Sequence, residues 1–185
     1  MARSPQTLSE EERRLVAAWA ADCAERVLYL FAAEAPGDGR PRELIARTRA
    51  YARGEIPTAE GIRRRFTGGV GVGEVGAAAM AAARAAGQAA AVCHMGAHAL
   101  GAAAYGVYAV SLAYPDRPEA AREEISWQAG HMSAPVRAAL RALPALGKNR
   151  SGPLGPGLLS SGQLAVTIRI LQADLADTVP EGAHD

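Results

Sequence analysis

The chain has 185 residues, enough for one domain with a sizeable core. Hydrophobic residues make up 49% of it but aromatic residues only 5%, so the core must use small side chains, which favours close-packed helices over a β-sandwich. With 20 Lys+Arg against 19 Asp+Glu, the balance excludes both the broad basic field of a nucleic-acid binder and the acidity of a DNA mimic.

The first residues, MARSPQTLSEEERR, carry no apolar stretch or cleavage pattern of a secretory signal. Cys23 and Cys93 are too few for a disulfide framework and sit in apolar runs, as inert core thiols do. The expected location is therefore the cytoplasm. Residues 1–8 read as a flexible tail. Residues 9–185 read as one helical domain, with a core over 9–143, a Gly/Pro-rich loop over 147–162 and a docking helix over 162–176.

The first helix opens at Ser9, where Ser9 and Glu12 form a capping box and three acids load the first turn. Val16, Trp19, Cys23, Val27 and Leu30 repeat at helical spacing and face inward, with Asp22 beside them; APGDGRP over 35–41 ends the helix. A second helix begins near Pro41, with Leu44, Ile45, Thr48 and Tyr51 inside and Gly54 at its end. A third follows Pro57, with Thr58 as its cap and Ile62 and Phe66 facing in; Arg63, Arg64 and Arg65 read as a solvated face. In TGGVGVGEVG, Gly71, Gly73 and Gly76 spell G-x-G-x-x-G, but no strand pattern precedes it. No acid follows before Asp116, so the stretch is a hinge and not a dinucleotide fingerprint.

A long helix over 73–113 follows, with a bend at Gly96 or Gly101 allowed for. From Val75 to Pro115 its only charge is Arg84. Alanine and glycine dominate over Leu, Ile and Phe, so it reads as a buried central helix and not a membrane span. Pro118 starts another helix that Gly130 stops. Ser133 caps a short one ending at Pro144, and Leu164, Ile168, Leu171 and Leu175 dock the last. Arg150 in the preceding loop reads as an exposed charge. The expected fold is an all-α single-domain bundle of about six or seven helices around the long Ala/Gly-rich helix.

Steps of four and three along that helix collect Arg84, His94, His98, Tyr105 and Tyr108 on one face. Enclosed among small residues, these groups need partners, and carboxylates must come from elsewhere: Asp22 and Glu25 first, then Glu123 and Glu124. Two readings stay open. One is a satisfied hydrogen-bond network. The other is a pocket in which His94 or His98 is the acid–base group, Asp22 or Glu25 orients it, Tyr105 donates to a substrate oxygen, and Arg84 and Tyr108 bind ligand. Trp127 and Gln128 pack against the stripe or cap it. No cofactor is expected. His94 and His98 have zinc spacing, but Met95 stands where the metalloprotease motif needs Glu. A third ligand would have to be Asp22, Cys23, Glu25 or His131.

The segments AAWAADCAERVLYLF (17–31), RPRELI (40–45), AAARAAGQAAAVCHMGAHALGAAAYG (81–106) and SWQ (126–128) together resemble the Imm-5-like family of putative immunity proteins, small helical bacterial proteins. The resemblance implies a binding protein that neutralises a toxin by protein–protein contact. It places recurring polar positions on Asp22, Glu25, Arg42, His94, His98, Trp127 and Gln128. The residue reading beside it is a small helical enzyme or ligand-binding protein of a specialised biosynthetic pathway, using the His/Asp/Glu/Tyr pocket. A third reading is a scaffold or homodimer joined through the small-residue helix. Partners are thus a toxin or a small molecule, not nucleic acid or membrane.

Overall fold

A computed structural model of the chain describes residues 4–64 and 75–177. Among them are eight α-helices and no strand: α1 (Glu10–Glu34), α2 (Arg40–Ala52), α3 (Thr58–Arg64), α4 (Ala77–Ala91), α5 (His98–Ala113), α6 (Pro118–Gly130), α7 (Ala134–Arg141) and α8 (Gly162–Asp177). The bundle is all-α as expected. The long central helix is not there: its length is divided between α4 and α5, which raises the helix count above seven.

The break has a specific cause. In a continuous helix the amides of Gly96 and Ala97 would bond the carbonyls four residues back. Here Gly96 N–H donates to the Thr7 carbonyl at 3.1 Å, and Ala97 N–H donates to the Gln6 carbonyl at 3.0 Å. The N-terminal segment supplies the acceptors, and the helix stops. The chain then reverses, so that Gln88 meets His98 and Gly101, while Arg84 lies over Tyr105. The expected stripe is therefore folded across an antiparallel hairpin instead of running along one face. Glycine at 96 is required: a Cβ there would lie 2.5 Å from Leu8 Cδ1. Leu8 itself adopts a left-handed backbone, φ 62°, costly for a residue with a Cβ and so held by its surroundings.

Within the stretch read as a flexible tail, residues 4–8 lie against the bundle. Gln6 is fully buried. Its Nε2 donates to the Ser151 carbonyl at 2.6 Å, and the Leu154 N–H donates to its Oε1 at 2.8 Å. One side chain thus clasps the Gly/Pro-rich loop to the hairpin turn. Gln6→Ala orphans a buried amide and a carbonyl together and should cost about 2–4 kcal/mol in urea unfolding, from the usual penalty for each unsatisfied group. A loss within about 0.5 kcal/mol, the range of an ordinary surface change, would show that the clasp does not hold.

α1 is the true centre and packs on α2, α4, α5 and α7. Its capping box forms as read: Glu12 N–H donates to Ser9 Oγ at 3.1 Å, and Ser9 N–H to Glu12 Oε2 at 2.7 Å. Val16, Trp19, Cys23 and Val27 are buried, Leu30 only partly; Leu44, Ile45, Thr48 and Tyr51 form the inner face of α2. Thr58 is the first residue of α3 and not a preceding cap. α5 buries Ala99, Ala102, Ala103 and Ala104 with Gly101 and Gly106, so neighbouring backbones approach closely. α8 docks on α5 through Leu164, Ile168, Leu171 and Leu175. Arg65, Phe66, Gly71 and Gly73 lie outside the described residues, while Gly76 precedes α4 and donates its N–H to Glu34 Oε2 at 2.6 Å.

Candidate functional site

On α1, Asp22, Glu25, Arg26 and Tyr29 follow the i, i+3, i+4, i+7 spacing of one helical face. On α6 and the residue that caps its end, Glu124, Trp127, Gln128 and His131 do the same. The fold sets these two polar faces against each other through long side chains. At the base, Trp19 Nε1–H donates to the Gln128 carbonyl at 3.0 Å. The Gln128 amide donates to the Ala103 carbonyl at 3.1 Å and to Glu124 Oε1 at 3.3 Å. Glycine at 106 gives it room, since a Cβ there would sit a tight 3.2 Å from Gln128 Nε2. Among the described residues, the buried Gln128 Oε1 has no partner. Flipping the amide would not help, because Oε1 would then face two acceptors.

Glu124 is buried, with a side chain only 5% exposed, and its Oε2 accepts from Arg26 Nε at 2.7 Å. That bond fixes the Arg26 guanidinium 4.3 Å from the Trp127 ring centre. His131 stacks on Trp127 with centroids 3.8 Å apart and planes 24° from parallel. The His131 Nδ1–H donates to the Trp127 carbonyl at 2.8 Å, which leaves Nε2 as the acceptor of the neutral ring. The result is a preformed Arg–Trp–His cluster.

Two clefts flank Arg26. Asp22, Glu25, Arg26, Trp127 and His131 line one, an open hollow of about 440 Å³. On its margin Arg49 of α2 bonds Asp22 Oδ1 at 2.8 Å and Glu25 Oε2 at 2.5 Å. Burial alone would lower the Arg49 pKa, but these two bonds outweigh it and hold the guanidinium above its ordinary value. The other cleft, about 290 Å³, lies between Arg26, Tyr29, Tyr114, Arg117 and Glu123. The hydroxyls of Tyr29 and Tyr114 are 3.0 Å apart, although the two rings are 51% and 38% exposed. Burial and then the Tyr114 bond push the Tyr29 phenol up to about 12.

The structure brings together only part of the sequence-predicted set. Asp22, Glu25 and Trp127 share the first cleft, with Gln128 beneath. His98 opens α5, half-buried, its Nδ1 2.8 Å from Gln88 Oε1. His94 is exposed in the hairpin turn, Tyr105 is buried and Tyr108 half-buried. Arg84 lies 6.0 Å from the Tyr105 ring; burial raises the Tyr105 phenol pKa, and Arg84 partly offsets this. Arg42 is exposed on α2. The α1 acids are engaged by Arg49, and Glu124 by Arg26 and Gln128, so three of the four carboxylates offered to the histidines have other partners. Arg26, Arg49, Tyr29 and Tyr114 were not read as site residues. The repeating polar spacing on both helices was the available signal for the first and third.

Cys23 is fully buried, and desolvation raises its thiol pKa well above the ordinary value, as for an unreactive core thiol. Among the described residues, no three His, Cys, Asp or Glu side chains are placed to hold a metal. No helix among them is long and apolar enough to cross a membrane.

The model of the family described as Imm-5 like putative immunity protein matches residues 6–135, a span that contains both flanks of the cleft and ends in α7. No curated protein and no solved structure matches the chain.

Proposed function

The chain belongs to the Imm-5 like putative immunity protein family, and from that membership we propose that it neutralises a bacterial toxin by direct protein–protein contact in the cytoplasm. The observation that carries the choice of surface is the Arg26–Trp127–His131 cluster between two clefts. Trp, Tyr and Arg are the residue types that dominate binding energy at protein interfaces. Here Trp127, Arg26, Tyr29 and Tyr114 are gathered on one accessible face. Arg26 is already immobilised by Glu124, so little side-chain entropy is left to lose on association.

The acid–base enzyme reading has less behind it. It asks Asp22 or Glu25 to orient His94 or His98, whereas both acids bond Arg49 on the α1–α2 side. The test is co-expression with any toxin encoded beside the gene. Survival with the chain, together with a complex that co-elutes in size-exclusion chromatography, is the expected result. Death of the cells despite soluble expression would overturn the reading.

A further inference from the structure

The toxin-binding reading does not say what chemistry the partner must present, but the first cleft does. Two carboxylates, Asp22 and Glu25, share the single guanidinium of Arg49 and so keep a net charge of −1. Each has a second oxygen that the Arg49 contact does not use. Arg26, the remaining cation on the wall, is cancelled by Glu124 at 2.7 Å. An anionic guest would therefore meet a negative site. The α6 side of the cleft is aromatic, lined by Trp127 and His131, whose rings stack on each other. A planar cation satisfies both walls, with a fork of N–H donors for the carboxylates and a π-face for the rings. The protein already holds such a group next door. Arg26 is bound by one carboxylate and one indole in just this manner, 2.7 Å from Glu124 and 4.3 Å from the Trp127 centre.

We propose that the cleft between α1 and α6 receives an arginine side chain of the protein partner. Lysine fits less well, because its compact ammonium makes neither the bidentate bond nor the stack. The proposal takes its partner class from the toxin-binding reading, yet its chemistry can be tested without any toxin.

The probe is N-acetyl-L-arginine methylamide, with the citrulline analogue as neutral isostere, titrated into the ¹⁵N-labelled full chain and followed by NMR. The expected result is saturable movement of the Trp127 indole N–H resonance and of the 22–26 amides, with arginine only. A dissociation constant of about 1–10 mM suits a ligand of this size. Asp22→Asn with Glu25→Gln should weaken it at least about tenfold while the chain keeps its folded ¹⁵N spectrum, since one or two charge-assisted bonds are lost. Trp127→Leu, with the amides as readout, should weaken it as well. Equal shifts with citrulline, or no saturation by about 50 mM arginine, well beyond the affinity expected of so small a ligand, would overturn the proposal. Its failure is separable from that of the toxin reading. Unprotected cells overturn the latter whatever the titration shows, and a flat titration beside protected cells overturns only the arginine site.

Discussion

If the proposed toxin-binding face is right, Trp127→Ala is expected to weaken toxin binding by about two to three orders of magnitude, the loss of an interface anchor worth roughly 3–4 kcal/mol. The indole joins the parts of the proposed binding face. Arg26 lies over it, His131 stacks on it, and it walls the larger cleft. Without the ring, Arg26 keeps its Glu124 bond but loses its stacking surface, and His131 retains only the carbonyl bond that any residue at 127 supplies. The fold should tolerate the change. Trp127 is half-buried, and α6 is anchored by Gln128, Glu124 and the Trp19 bond instead. Unfolding free energy should therefore fall by only about 1–2 kcal/mol, within the range of common point substitutions. Calorimetric titration with a toxin that the chain is found to neutralise, read beside a thermal melt, separates the two effects. Affinity within threefold of wild type at an intact fold would remove this face from the interface.

Local physics was legible wherever it had no competitor. Ser9 and Glu12 announce α1 because their capping bonds span only three residues. Pro118 and Gly130 bound α6 for the same kind of reason. The inner faces of α2 and α8 follow from apolar spacing alone. The break between α4 and α5 was not legible to that reasoning. Alanine favours helix throughout 77–113, and Gly96 alone need not end one. What ends it is a pair of carbonyls, at Gln6 and Thr7, from a segment about ninety residues earlier in the chain. Gly96 allowed for a bend there, but the partner that turns a bend into a break was a glutamine near the N-terminus, where polar residues ordinarily signal solvent.

The candidate site shows the same division. Asp22, Glu25, Trp127 and Gln128 could be picked out, but assigning the acids to the histidines assumed one continuous stripe. Once the hairpin folds, His98 finds Gln88, and the acids find Arg49. The face that emerges depends on contacts between α1 and α6, such as Arg26 with Glu124 and Trp19 with Gln128, each nearly a hundred residues apart or more. Each helix displays its polar spacing openly. That the two faces oppose each other is a fact of tertiary packing.

Trp19 carries the largest expected effect on stability, because it serves the core and α6 at once. Its side chain is one of the largest that is fully buried. Its N–H also fills a vacancy left by the end of α6. The Gln128 carbonyl would ordinarily bond the amide of Met132, but that amide turns back to Ala129, and the indole takes its place. Trp19→Ala removes the ring and leaves both a cavity and an orphaned buried carbonyl. Aromatic-to-alanine truncation in a core costs about 3–5 kcal/mol, and the carbonyl adds about 1–3, so the total is a large share of a typical domain's 5–15 kcal/mol. Trp19→Phe divides the two contributions. It keeps much of the packing, loses the donor, and should cost about 1–3 kcal/mol. Urea unfolding followed at 222 nm measures both variants. A phenylalanine variant as stable as wild type would mean that the Gln128 carbonyl needs no donor. An alanine variant within about 1 kcal/mol of wild type would mean that the site collapses around the missing ring, against the behaviour of close-packed cores. Because Gln128 and Glu124 lie on the same face of α6, losing the Trp19 bond should also loosen the Arg26–Glu124 pair. Trp19→Phe should then weaken the proposed toxin binding severalfold without touching the partner, an effect that a purely structural tryptophan far from the proposed binding face would not produce.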